Sequence, residues 1–161
     1  RAGAIAARAP LMQDVVAKAR GGMPVLGICN GFQVLCESGL LPGVLMRNAS
    51  LRFICRTVEL KVATSDSAFT QGWNAGDTAM IPIAHHDGNY VIDEDGLKRL
   101  KGEDRIAFTY TANPNGAVAD IAGVLSQNRR VLGMMPHPEN MIEPLHGKTD
   151  CRPLFESLLA A

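Results

Sequence analysis

The sequence predicts an α/β domain, with helices flanking a mostly parallel open sheet. Three observations carry this. Residues 10–20 have helical periodicity and run through Gly21-Gly22 into an apolar stretch, Met23 to Cys29. That stretch is too short for a helix and apolar on both faces, as in a strand buried within a parallel sheet. A second helical segment follows directly, after a sharp Gly-containing turn, and helix, strand, turn, helix is the rhythm of α/β domains.

The elements follow in order. Leu11, Met12, Val15, Val16 and Ala19 recur at helical spacing, with Pro10 suited to the first turn and Gly21 to the C-terminal cap. Gly31 to Ser38 reads as a helix that stops at Gly39, and Leu-Pro-Gly then makes a turn. From Leu51 to Val62 the chain alternates, but the apolar set moves from odd positions (Leu51, Phe53, Cys55) to even ones (Val58, Leu60, Val62). Such a switch predicts a bulge, or two strands meeting, near Arg56-Thr57. Further strands are expected at Thr78 to Ala84, Arg105 to Thr111, Ala119 to Leu125 and Arg130 to Met135. Asn113-Pro114-Asn115-Gly116 is a turn signal between two of them, and a terminal helix is expected over Pro153 to Ala160.

A length of 161 residues suits one domain, 1–161, with 47% hydrophobic content for its core. Sixteen basic residues balance sixteen acidic ones, which argues against nucleic acid or an anionic membrane as partner. No apolar run approaches the roughly 18 residues of a membrane span. Cys29, Cys36, Cys55 and Cys151 form no C-x-x-C pair, so neither a zinc ribbon nor a disulfide scaffold is indicated, and a cytoplasmic setting is the simplest. The Ala- and Arg-rich stretch from Arg1 to Arg20 is read as a helix feeding the first strand rather than a transit peptide. With no initiator Met, the chain is expected to start inside a longer protein.

Gly27-Ile28-Cys29-Asn30-Gly31 between a strand and a helix has the form of a nucleophile elbow. The glycines are expected where side chains would strike neighbouring backbone. The turn sets Cys29 at a helix N-terminus, where free amides favour a thiolate, and the Asn30 amide is placed to donate to an oxyanion. A buried structural cysteine between turn glycines is the plainer alternative, and the strand-turn-helix setting argues against it. A nucleophilic thiol needs a proton shuttle. Of His85, His86, His137 and His146, His137 stands out, because Pro136-His137-Pro138-Glu139 ends a strand, where ligand chemistry gathers in parallel sheets. On an extended segment Glu139 would project to the same side and orient the ring. His85-His86 reads as a polar loop near the site mouth, not a metal site. Cys36, Cys55 and Cys151 read as packing residues, and Arg47, Arg52 and Arg56 as a solvated face.

With Met134-Met135-Pro136-His137-Pro138-Glu139, this elbow resembles the class I (triad) glutamine amidotransferases. More narrowly, Cys29-Asn30-Gly31-Phe32-Gln33, Arg47 to Phe53, Pro82-Ile83-Ala84-His85 and Ala112 to Gly116 with Ile121-Ala122-Gly123 are similar to the glutaminase subunits of phosphoribosylformylglycinamidine synthase. The similarity runs over nearly the whole chain. It implies a flavodoxin-like fold, with Cys29 as nucleophile, His137 as acid/base and Glu139 as its partner. Asn30, Gly31, Gln33, Ser50 and Leu51 would hold the oxyanion and the substrate. It implies no cofactor in this chain, and ammonia passed to a large synthetase subunit, with a small bridging subunit, where ATP and magnesium act on formylglycinamide ribonucleotide. The arginine-bearing segment becomes a contact for that partner.

Two departures stand out. Family members carry further N-terminal residues, including βα units and a Gly-rich loop giving a second oxyanion donor. His86-Asp87-Gly88 also stands where Gly-Glu-Gly is usual. Two other readings compete. A Cys-elbow deglycase or protease normally lacks the strand-end His-Pro-Glu, and a non-catalytic regulatory subunit would be expected to lose part of the triad.

Overall fold

The computed structural model describes residues 2–160; Arg1 and Ala161 lie outside the described residues. Two N-terminal helices, α1 (Ala2–Ala6) and α2 (Pro10–Arg20), lead into β1 (Val25–Ile28) and α3 (Asn30–Glu37). Then come β2 (Val44–Met46), β3 (Ile54–Val62), β4 (Thr78–His85), β5 (Asn89–Val91) and α4 (Glu94–Gly102). The chain closes with β6 (Ile106–Tyr110), β7 (Ile121–Leu125), β8 (Val131–Met134) and α5 (Arg152–Leu159). Pro10 opens α2 as its fixed φ suits, Gly21 caps the helix, and the left-handed turn that follows falls on Gly22 at φ 97°.

Six strands form the main sheet in the order β1-β8-β7-β6-β3-β4, while β2 and β5 pair as a small antiparallel ribbon. The α/β class is as expected, but parallel pairing is confined to β1 and β8; the other pairs are antiparallel. An apolar run buried on both faces, as β7 and β8 are, carries no direction. The connection does. Only residues 126–130 join β7 to β8, too few for a crossover, so the two must form a hairpin.

The expected break in β3 is absent. Its register with β4 runs unbroken from Ile54↔His85 to Lys61↔Thr78. Leu51 and Phe53 instead lie in a loop before the strand and face solvent, and Cys55 sits within β3 on its exposed face, so the odd apolar positions do not form a second core face. Helix α4, unmarked in the sequence reading, begins where the Asp93 carboxylate accepts a hydrogen bond from the Gly96 amide at 2.7 Å. Asp at that position, with Leu97 and Leu100 behind it, was a legible start signal.

Helix α3 packs on β1 and β8 through Phe32, which stacks on Tyr90 with ring centroids 5.6 Å apart. Gly133 makes room for that ring: a β-carbon there would overlap Phe32 and the Leu41 methyl. Gly133→Ala is therefore expected to destabilise the fold by about 1–3 kcal/mol through overpacking. Urea unfolding checks it; an unchanged midpoint would mean that α3 is free to shift.

Candidate active site

The site is built at one end of the parallel pair. Register Ile28↔Met134 means that the segments following β1 and β8 leave the sheet side by side. The Cys29 amide donates to the Met134 carbonyl at 2.8 Å, extending the ladder to the turn itself. Cys29 sits in that turn at φ 53° and ψ −108°, a conformation that costs on the order of 1–3 kcal/mol for a non-glycine residue. Gly27 is required for it, because a β-carbon there would meet the Gly31 carbonyl group at 2.8 Å. The same argument does not hold for Gly31, whose β-carbon would meet nothing within 4 Å among the described residues.

His137 is anchored through its amide to the Pro82 carbonyl at 2.9 Å. Its Nδ1 lies 2.7 Å from Glu139 Oε1. The segment is not extended as expected. Pro138–Asn140 forms a 3-10 turn, and this curl swings the carboxylate onto the ring. An acidic partner at Nδ1 fixes the proton there and leaves Nε2 as the free acceptor, the arrangement of a general base. His137 Nε2 is buried without a hydrogen-bond partner among the described residues.

The Cys29 thiol is half-buried and points its hydrogen bond at the Ala84 carbonyl, 3.9 Å away, rather than at His137. Burial pushes the thiol up, the Asn30 amide pulls it back, and the Glu139 carboxylate pushes it up again. The expected depression by the helix N-terminus is thus outweighed by desolvation, and the resting sulfur is a thiol. The Asn30 amide lies close enough to the sulfur to favour its ionised form.

The 48–52 and 85–88 segments lie together beside α3. Gln33 Nε2 donates to the Asp87 carbonyl at 3.1 Å. Leu51, at φ 58°, exposes its side chain, and its carbonyl accepts from His86 Nε2 at 3.2 Å. The Ser50 hydroxyl accepts from the Arg52 amide at 3.4 Å, and Arg47 pairs with Asp87 at 3.7 Å. His85 and His86 do not form one polar loop. His86 is the surface brace, whereas His85 ends β4 and is only 3% exposed. The signal was its phase: His85 continues the buried alternation of Ala79, Ile81 and Ile83.

Asn48, fully buried and overlooked in the sequence, ties these segments together. Its Nδ2 donates to the Arg52 and His85 carbonyls at 2.8 and 3.0 Å. Its Oδ1 accepts from the Gly88 amide at 3.0 Å and lies 3.1 Å from His85 Nδ1. Cys36 and Cys151 are pushed up to about 12 by burial, as packing residues should be, but Cys55 is exposed and is not one. Among the described residues no group of three His, Cys, Asp or Glu side chains gathers to hold a metal, and no helix is long and apolar enough to cross a membrane.

A strained cysteine elbow and a carboxylate-oriented histidine thus follow the paired ends of β1 and β8. Residues 4–150 match the family model of the CobB/CobQ-like glutamine amidotransferase domain. The chain is 64% identical over 159 residues to the phosphoribosylformylglycinamidine synthase subunit PurQ of Cereibacter sphaeroides, covering 99% of this chain and 72% of that protein. Against the PurQ subunit of Roseobacter denitrificans it is 63% identical over 161 residues, with 100% and 72% covered. A structure of PurLQS from Thermotoga maritima matches with a TM-score of 0.90 at 40% identity, over 99% of this chain and 72% of that one. The chain belongs to the glutamine amidotransferases and, within them, to the PurQ family. The amidotransferase fold that the resemblance implied is its fold.

Two outcomes are expected. A glutamine-like chloroketone should modify Cys29, with excess glutamine protecting it, while Cys36 and Cys151 stay unmodified. Iodoacetamide should also label exposed Cys55, glutamine notwithstanding. Peptide mapping decides, and labelling of Cys36 or Cys151 ahead of Cys29 would contradict the burial order. Stability should also fall with acid because of His85. Burial, aided by the charge of His137 and opposed by that of Asp87, lowers its pKa from 6.5 to about 4. The unfolded chain therefore takes up this proton first, so the stabilisation is complete above pH 6.5 and is lost as pH falls towards 4. Thermal unfolding across that window should show a shallower slope for His85→Leu.

Proposed function

We propose that this chain hydrolyses glutamine to glutamate and ammonia as the glutaminase subunit of a phosphoribosylformylglycinamidine synthase. The observation that carries the mechanism is the β1–β8 register, which delivers Cys29 and the His137–Glu139 pair to the same end of the sheet. Identity of 64% to a PurQ subunit supports the particular enzyme.

Cys29 Sγ turns from the Ala84 carbonyl, gives its proton to His137 Nε2 and attacks the side-chain amide carbon of glutamine. The oxyanion that forms accepts from the Asn30 amide. Collapse breaks the C–N bond as His137 returns the proton to nitrogen, leaving a γ-glutamyl thioester and free ammonia. Water, deprotonated by the same imidazole, then cleaves the thioester to glutamate and restores the thiol. Glu139 holds the ring and stabilises its protonated form. Gln33 and the backbone at Gly31, Ser50 and Leu51 hold the substrate.

The ammonia passes to a large synthetase subunit, assembled with a small bridging subunit. There ATP and magnesium drive conversion of formylglycinamide ribonucleotide to its amidine, in the cytoplasm. No cofactor is invoked in this chain, because thiol, imidazole, carboxylate and water account for every proton and bond in the hydrolysis.

In the assembled complex, Cys29→Ala should lower glutamine-dependent synthesis at least about a thousandfold while ammonium salts still support it. His137→Asn should behave alike. Glu139→Gln should retain more activity, since it only orients the group that moves the proton. Steady-state assays with each nitrogen source decide it, and normal glutamine-dependent turnover by Cys29→Ala would overturn the mechanism.

A further inference from the structure

The hydrolysis as derived uses one imidazole, yet a second one is buried beside it. His85 lies one residue past Ala84, whose carbonyl holds the Cys29 thiol, and near enough to His137 to feel its charge. Its protonation pattern follows from its partner. Asn48 Nδ2 donates to two carbonyls and Asn48 Oδ1 accepts from the Gly88 amide, so the amide cannot be flipped without breaking all three bonds. The atom facing His85 Nδ1 is therefore an acceptor, and Nδ1 must carry the proton. That leaves Nε2 with a bare lone pair, and this atom is buried with no partner among the described residues. Gly88 lets the ring sit there, since any β-carbon at that position would overlap it.

A buried acceptor left without a donor costs about 1–3 kcal/mol, so the polar groups that fix it need a return. We propose that His85 is a further residue of the glutaminase site, whose Nε2 accepts an N–H from the scissile carboxamide and then from the departing ammonia. The proposal rests on the glutaminase reading of the same site. The two histidines then divide the work. His137 carries the moving proton, its ring held by a carboxylate that favours the charged form. His85 is held by a neutral amide and keeps its own proton on the far nitrogen. As the C–S bond forms and the C–N bond breaks, nitrogen gains one proton from His137 and keeps its two. One of those two is directed at His85, which has no proton to give, so the product leaves as neutral ammonia rather than ammonium.

The test compares His85→Asn, His85→Leu and His85→Gln in the full complex. Gln places an acceptor oxygen near the reach of Nε2, whereas Asn reaches only the Nδ1 position. Two reactions are followed at Cys29: glutamine turnover, and alkylation by a glutamine-like chloroketone, which fills the same site but has no leaving nitrogen. The Asn and Leu variants should lose at least about tenfold in glutamine kcat, the worth of one transition-state hydrogen bond. Their rates of Cys29 alkylation and of ammonium-dependent synthesis should stay within about threefold of the parent. His85→Gln should recover most of the loss. Parallel loss of turnover and alkylation would show that His85 only shapes the pocket, and unchanged turnover in the Asn variant would also overturn the proposal. Should the Leu variant fail to fold, the Asn and Gln pair still decides. If the parent's Cys29 is not alkylated and no glutamate appears, it is the glutaminase reading that fails.

Discussion

Everything at this site depends on one parallel strand pair. β1 and β8 are far apart in sequence, and their in-register pairing from Val25↔Val131 to Ile28↔Met134 sets where both following segments begin. Because side chains alternate along a strand, a slip of one residue would turn every side chain of β8 to the opposite face. Burial prevents the slip: every residue of β8 is buried, and Gly133 admits the Phe32 ring at one position only. Packing of α3 on this strand pair thus holds the geometry of the site. It also supports the strained turn at Cys29, whose unfavourable backbone persists because the Met134 carbonyl and the close Gly27–Gly31 approach leave it no alternative.

Around that pair one wall of the site is held by buried asparagine side chains whose hydrogen bonds are all made. Asn48 makes four contacts with a single side chain, joining the Arg52 carbonyl, the end of β4 and the Gly88 turn. Asn115 continues the network, donating to the Gly88 carbonyl at 2.8 Å while its amide oxygen accepts from Ala117. Buried networks of this kind rigidify when satisfied and are costly when one member is removed. The outcome is a wall that holds Ala84, His85 and Asp87 in place against the N-terminal end of α3, where Cys29 and Gln33 lie.

Much of this was legible in the sequence, and what was missed has physical causes. The strand-turn-helix around Cys29 could be read because a continuous apolar run, two glycines and a cysteine leave few alternatives. The strand-end His137 could be read for a similar reason, although its bond to Glu139 comes from a 3-10 turn and not from extended backbone. A mostly parallel sheet was expected from apolar content, whereas the short loop between β7 and β8 makes them an antiparallel hairpin. β2 and β5 are three residues each and lie below the length at which alternation can be recognised. Asn48 carries no local signal at all, since its partners lie at Arg52, His85 and Gly88, and only the fold brings them to it.

The resting state of the cysteine tempers the reactivity expected of a strained turn at a helix N-terminus. A free thiolate is the form that oxidises and alkylates. Here burial and the nearby Glu139 carboxylate both disfavour that form, and the proton is held towards the Ala84 carbonyl. In the proposed mechanism the ionised sulfur becomes favourable when His137 takes the proton, because an imidazolium beside Glu139 offsets the charge of that carboxylate. The carboxylate therefore does opposite things at two stages. Beside a neutral imidazole it adds to the burial that disfavours the thiolate, and beside a charged one it would stabilise the ion pair. In the proposed mechanism that reversal ties nucleophile formation to proton transfer, so the sulfur is activated in the step that moves its proton to His137.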